Sequence, residues 1–490
     1  MLQKKLWAIL ALACTAIAES TGACASKKPV VVHPKPAGIS SSTSYAIEVR
    51  PSGKSHHTPY SIEPWITTVA EANTTTGRSM IHNTNVANFD FCGSIDITLT
   101  YNTATIKSAK VRPASLNIKP QVKGQTIKFS LDSPKNVVVQ VNDDIWDVLH
   151  ILTSNPETDT PKPSDPDVIY FSPGINNSSA AGNLTSGELI VPAGKTVYIA
   201  PGATVKFPLI FRNATGGEIR GRGLLQGANI QTQSSSDILI RDILLFNSNI
   251  GTHMSSDITI RDLRSFSSGQ WGDGIDLYCS SNVLIDNVFM RNSDDNIALY
   301  QARNGDYGDS NNLTIQNAQL WADYAHPINI GTHGNTPNPE TMDGVFIRNI
   351  DVLDHREMQQ WYQGALAINA GDSNLIRNVV VDGFRIENFR LGQIVNLRIM
   401  NNTKYNTSPG RGIENVYIKD MEYTGDRADT ALLLGYDAEH KISNVTFENL
   451  VVNGKVISDD MAKPSWYYTA DMVPMFANEH VEGLSFIKST

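Results

Sequence analysis

Cysteine is scarce in this chain, with four among 490 residues, and that excludes a disulfide-stapled scaffold. The spacing of Cys24, Cys92 and Cys279 fits no metal motif. A pairing of Cys92 with Cys279 is open, and a buried free thiol is the simpler expectation. Positive charge is also short, at 40 Lys and Arg against 49 Asp and Glu for a net −9, with no basic block inside the chain. Nucleic acid and an anionic membrane surface are thereby excluded as partners. Long apolar runs are missing too. The longest, Leu6 to Ala18, is too short to span a bilayer comfortably.

That run follows Lys4 and Lys5 and precedes two A-x-A sites, Ala16-Ile17-Ala18 and Ala23-Cys24-Ala25. Residues 1–25 therefore read as a secretory signal, cleaved after Ala18 or Ala25. Sequons at Asn73, Asn176, Asn177, Asn183, Asn213, Asn312, Asn401, Asn406 and Asn444 agree with an extracellular glycoprotein.

Two grammars follow. From Ile47 to Val148, short alternating runs such as SIDITLTYN and QTIKFSLDSPKN are separated by turn residues, the pattern of antiparallel strands in a sandwich. The expected organisation is a β-sandwich over 26–154, a linker over 155–167 (NPETDTPKPSDPD begins at Asn155) and a repeat region over 168–490. In that region one phrase recurs: SSDILIRDILLF at Ser235, SSDITIRDLRSF at Ser255, SSNVLIDNVFM at Ser280, and later copies through KISNVTFENLVV at Lys441. Its Asp or Asn falls at 242, 262, 287, 317, 349, 378, 420 and 449, a period of 20 to 32 residues apart from one wider gap before 420. Repeats of that size with strand patterning and no helical period mean a parallel β-helix, and the chain as a whole reads as all-β. The recurrent Asn/Asp bonds backbone in the bend between strands and carries no chemistry.

One phrase stands out. WGDGIDLYCSSNVLIDNVFMRNSDDNIALY, from Trp271 to Tyr300, contains D-G-I-D-L-Y at Asp273 and D-N-I-A-L-Y at Asp295. Coils stack about 4.8 Å apart, so matching Ile275 to Ile297, Leu277 to Leu299 and Tyr278 to Tyr300 brings Asp273 over Asp295. Asp294 sits one position away. The next coil, His326-Pro-Ile-Asn-Ile-Gly, places His326 in the same column, and the one after it offers Gly364. The segment from Arg303 to Ser310 reads as a loop at the rim.

Carboxylates crowded without a cation in the phrase raise each other's cost of ionisation, which marks a site more readily than a turn. A carboxylic acid that protonates a leaving oxygen and a carboxylate that activates water together cleave a glycosidic bond. The expected catalytic set is Asp294 as acid, with Asp273 and Asp295 holding the water. Diagonal spacing on a sheet, about 7–8 Å, leans towards inversion. His326, Trp271, Trp361 and Tyr362 are assigned to substrate contact. Tyr278 and Tyr300, being in register, read as a stacked pair. No metal and no cofactor is required, the partner is a polysaccharide, and a monomer is expected.

At these residues the chain resembles the right-handed β-helix glycoside hydrolases. Asp273-Gly, Asp294-Asp295 and His326 are similar to the N-T-D, D-D and G-H-G motifs of family 28, the polygalacturonases. Here the His stands in A-H-P, and no cation lies between Gly364 and Asp372 where that family holds an acidic sugar. A longer resemblance is to family 49, the dextranases and isopullulanases, through KVRPASLNI at Lys110, VVVQVNDD ending at Asp144, and VIYFSPG with VYIAPGATVK from Val168 to Lys206. It implies a β-sandwich before the β-helix and an inverting endo-hydrolase of α-glucans, with Asp294 matching the acid and Asp273 and Asp295 the water-activating pair. The family's D-D-D run stands here as Asp294-Asp295-Asn296.

Three other functions compete with the neutral-glucan reading: hydrolysis of a pectic polymer by the same aspartates, a Ca2+-dependent lyase, and a non-catalytic carbohydrate-binding β-helix. The lyase would need a strong base near its metal, and the aspartate coils carry none.

Overall fold

The computed structural model describes residues 29–54, 57–178 and 184–489. The leader, Cys24 and the Asn183 sequon lie outside the described residues. No helix among them is long and apolar enough to cross a membrane.

The N-terminal strands form two sheets. One contains Val30–Val32, Trp65–Ala72, Ser79–Phe91, Ala109–Arg112, Val137–Val141 and Leu149–Ser154; the other contains Tyr45–Pro51, Tyr60–Ile62, Ile95–Tyr101, Gln121–Lys123 and Thr126–Leu131. Alternation within Tyr45–Pro51 and Ile95–Tyr101 sends Ile47, Val49, Ile97 and Leu99 into a shared core, with polar residues outward. This is the β-sandwich.

From Val168 onward the strands of successive coils pair in parallel, in a 21-stranded sheet and an 11-stranded sheet, with one antiparallel hairpin between Leu450–Val452 and Lys455–Ile457. Together they form a right-handed parallel β-helix, the hand a right-twisted parallel sheet favours. Its interior is a continuous ladder of Ile, Leu, Val and Phe, including Ile238, Ile258, Val283, Leu313 and Val345.

The bends explain the repeat. Asp242, Asp262, Asn287, Asn317, Asn349, Asp420 and Asn449 all hold left-handed φ between 50° and 65°, which Asn and Asp tolerate better than other side chains. They also ladder: Asn287 donates to Asp262 at 2.6 Å, Asn349 to Asn317 at 2.6 Å and Asn449 to Asp420 at 2.6 Å. One member of the expected row is corrected. Asn378 follows Gly344 in register, because Asp343 pairs with Arg377 and Val345 with Val379. The residue beside Asn349 is Gly383, whose φ is 76°. A glycine occupying the bend hid one repeat and produced the apparent wide gap before 420.

The sandwich packs along the flank of the β-helix through Trp65, Val86, Val138 and Leu152 on one side and Phe246, Phe266, Phe289 and Trp321 on the other. Buried arginines cross that interface. Arg222 reaches Asp90 at 3.0 Å, and Arg112 reaches Glu387 at 2.7 Å.

The free-thiol expectation holds for Cys279, which is buried and unpaired. It fails for Cys92, which is disulfide-bonded. Among the sequons, Asn406 is buried, and its side-chain amide donates to the Thr332 carbonyl, so the folded chain offers no glycan acceptor there. The interface makes a stability prediction. Phe266→Ala should lower the unfolding free energy by about 3–5 kcal/mol, read as a drop in denaturation midpoint with native circular dichroism retained.

Candidate active site

Three strands of the 11-stranded sheet, Ile275–Tyr278, Ile297–Tyr300 and Ile328–Gly331, carry the site. Ile275, Leu277 and Tyr278 pair with Ile297, Leu299 and Tyr300, and Ile297 and Leu299 pair with Ile328 and Ile330. Two residues before each of those isoleucines stand Asp273, Asp295 and His326. Gly364 continues the column, since Ile328 pairs with Leu366. Gly274 is required between the aspartates: its N–H donates to the Asp295 carbonyl at 2.9 Å, and a Cβ there would lie 2.5 Å from the Asn296 carbonyl oxygen.

One carboxylate oxygen from each of Asp273, Asp294 and Asp295 lies within 4.8 Å of the others. Asp295 is buried beneath the surface, while Asp273 and Asp294 are half-buried. Both Asp295 oxygens are engaged. Oδ1 accepts the His326 backbone N–H at 3.0 Å and the His326 Nδ1 proton at 2.6 Å. Oδ2 accepts Asn329 Nδ2 at 2.9 Å and the Tyr300 hydroxyl at 3.1 Å.

His326 Nε2 meets the Tyr362 carbonyl. Each ring nitrogen therefore faces an acceptor, as an imidazolium requires. Burial opposes that charge, but the adjacent Asp295 carboxylate outweighs it and pushes the pKa up to about 9. The pull is reciprocal. Burial raises Asp295, yet the His326 charge and its hydrogen bonds hold the carboxyl below the usual range.

The other acids respond in the opposite direction. Burial, then the charge on Asp295, push Asp294 up to about 8. Burial and the neighbouring Asp276, Asp294 and Asp295 push Asp273 well up, with Arg303 opposing. The cluster thus holds one dependable anion, Asp295, beside Asp294, an acid that keeps its proton near neutrality. Three oxygens at this spacing meet the bare distance requirement for a cation, but four donors already fill Asp295, and a protonated Asp294 suits proton transfer better than ligation.

Two substrate-contact assignments are corrected. His326 is fully buried beneath Asp295 and touches no solvent. Tyr362 is only 8% exposed, with its hydroxyl 3.0 Å from Asn329 Nδ2 and 2.9 Å from Thr332 Oγ1, so it braces the site from below. Trp271 and Trp361 are 72% and 58% exposed, free to meet a sugar face. Tyr278 and Tyr300 stack with centroids 5.6 Å apart. Side chains of neighbours about 7–8 Å apart on a sheet can converge, and one oxygen of each acid lies within 4.8 Å of the others.

Asp276 escaped the sequence reading. It lies buried beside the triad, with burial and the Asp295 charge lifting it to about 7, and its Oδ1 has no partner among the described residues. The signal was present: Ile275 and Leu277 point inward, so Asp276 must point out with Tyr278. Arg303, read as rim loop only, lies over the Tyr300 ring at 5.2 Å and brings a cation to the aspartates. The loop carrying it is braced by Glu340, which accepts the Ala302 and Gly308 N–H groups at 2.9 Å and 2.6 Å.

The site is thus a carboxyl cluster on the outer face of a right-handed β-helix. Residues 223–465 match the family model described as Glycosyl hydrolases family 28. A curated relative, an exopolygalacturonase of Cochliobolus carbonum, is 28% identical over 125 residues, 24% of this chain and 26% of that one. The chain thus spans about a quarter of the length of the curated relative it matches. Among solved structures, Dex49A from Penicillium minioluteum aligns over 93% of this chain and 96% of its own, with a TM-score of 0.50 and 12% identity, a likeness of fold. Over residues 223–465, just under half of its length, the chain is similar to the family 28 glycosyl hydrolases.

The Asp295–His326 pair generates a pH prediction. His326→Gln removes the cation that keeps Asp295 ionised, so Asp295 should titrate higher. The acid limb of the kcat/KM profile should move up by about one pH unit, and activity should fall by about 10–100-fold. Profiles of wild type and variant on one substrate check both.

Proposed function

We propose that this chain is a secreted polysaccharide hydrolase that inverts the anomeric centre, with Asp294 as general acid and the Asp273–Asp295 pair as the base that takes a proton from water. The observation that carries the reading is the opposite tuning of adjacent carboxyls. Asp294 retains its proton up to about pH 8, while Asp295 is held ionised by His326, Asn329 and Tyr300. Acid and base are thereby available at one pH.

Inversion is preferred over a covalent intermediate for a chemical reason. Four donors already occupy the Asp295 oxygens, which damps its nucleophilicity but leaves it able to draw a proton. Secretion is supported by the leader motif and by the disulfide at Cys92. Exposed sequons such as Asn213 and Asn312 suit a glycoprotein.

For the substrate, a neutral α-glucan is the first reading. No Lys or Arg stands between Gly364 and Asp372 to receive a uronate carboxylate, and Asp295 is held as an anion at the cleavage point. A pectic polymer is the second reading, favoured by a specific feature. Arg398 lies 5.8 Å from the Trp361 ring centroid and Lys404 donates to Gln359, and neither has a carboxylate within 4 Å among the described residues. The exopolygalacturonase relative points the same way.

Dextran, pullulan, nigeran and polygalacturonate, assayed side by side with product analysis, should show one polymer cleaved. Proton NMR of the first product should show the inverted anomer. The alkaline limb should fall as pH rises through about 8, where Asp294 loses its proton. Asp294→Asn should reduce turnover by about 10²–10⁴-fold with the fold intact, and activity should survive EDTA. Turnover undiminished in Asp294→Asn would remove the acid assignment.

A further inference from the structure

One strand of the N-terminal sandwich, Trp65–Ala72, begins in the interface and ends at the site. Trp65 packs against Phe246 with centroids 5.1 Å apart, and Thr68 Oγ1 lies 2.7 Å from Ser268 Oγ. The strand then turns through an exposed loop into Ser79–Phe91, with Ala72 paired to Ser79. That turn is pinned. Arg356 donates to the Ala72 carbonyl at 3.1 Å and lies 3.5 Å from Glu71 Oε2, and Arg390 lies 3.3 Å from the same oxygen.

Arg390 also holds Asp323 at 2.8 Å and Asp354 at 2.6 Å, and Arg291 grips Asp323 from within at 2.8 Å. Asp323 lies three residues before His326. The network that fixes the hairpin therefore also fixes the chain leading into the catalytic column.

Between hairpin and β-helix is a cavity of about 110 Å³ whose lining includes Ala72, Gly77 and Ser79 on one side and Trp271, Tyr324 and Asp294 on the other. The general acid thus faces a space walled by the other half of the chain. An acid that protonates the glycosidic oxygen stands beside the sugar that departs with that oxygen.

We infer that the hairpin joining Trp65–Ala72 to Ser79–Phe91 forms one wall of the leaving-group sugar subsite, with Trp271 supplying the opposing aromatic face. The N-terminal sandwich is then part of the active site. This rests on the assignment of Asp294 as acid.

Two variants test it on whichever polymer the wild type cleaves. Ala72→Trp fills the wall side of the cavity. Replacement of residues 73–78 by Asn-Gly removes the loop while keeping a two-residue turn suited to the flanking strands. The readout is kcat/KM on the polymer divided by kcat/KM on the glycosyl fluoride of the same sugar, whose leaving group carries no ring. That ratio should fall at least tenfold in both variants. An unchanged ratio in both overturns the inference, while wild-type turnover of the polymer separately checks the hydrolase reading.

Discussion

Everything at the site depends on parallel coils stacking in register. Three matched apolar pairs between Ile275–Tyr278 and Ile297–Tyr300 are buried or nearly so. A slip by one residue would turn Ile297 and Leu299 out of the coil interior and drive Tyr300 into it. The penalty for losing that packing is what forces Asp273 and Asp295 into one column, although each would be more stable ionised in water. The interior ladder supplies the free energy that keeps charged groups at an unfavourable spacing.

Given that spacing, the second layer decides which acid carries the charge. Asp295 has the buried imidazolium, an amide and a phenol as donors. Among the described residues, Asp294 accepts only the Asp295 N–H at 3.0 Å. Two neighbours in sequence therefore differ in acidity because their side chains leave the backbone towards different partners. Tyr362 contributes through its backbone carbonyl as well as its hydroxyl, which explains why an aromatic residue so near the aspartates is closed to solvent.

Much of this was legible in the residues. The repeat length, the strand alternation and the Asn/Asp bends identify the β-helix, and the doubled D-x-I phrase identifies the column. What was not legible depends on direction and depth. His326 and Tyr362 share the column's neighbourhood, but register says nothing about how far below the surface a side chain lies. Arg303 comes from a loop whose path no periodicity fixes. Asp276 was hidden by the apolar residues on either side of it, and Gly383 by being a glycine where the adjacent coils show Asn349 and Asp420. The hairpin at Ala72 lies some two hundred positions away from the aspartates, and no local pattern links them.

The arginines spanning the two halves have an evolutionary implication. Because Glu71 is clamped by side chains from the β-helix, the outer loop beside it is free to change length and chemistry without disturbing the aspartate cluster. If the hairpin walls a sugar subsite as proposed, preference for one polymer over another can drift in a segment that carries none of the clustered carboxyls.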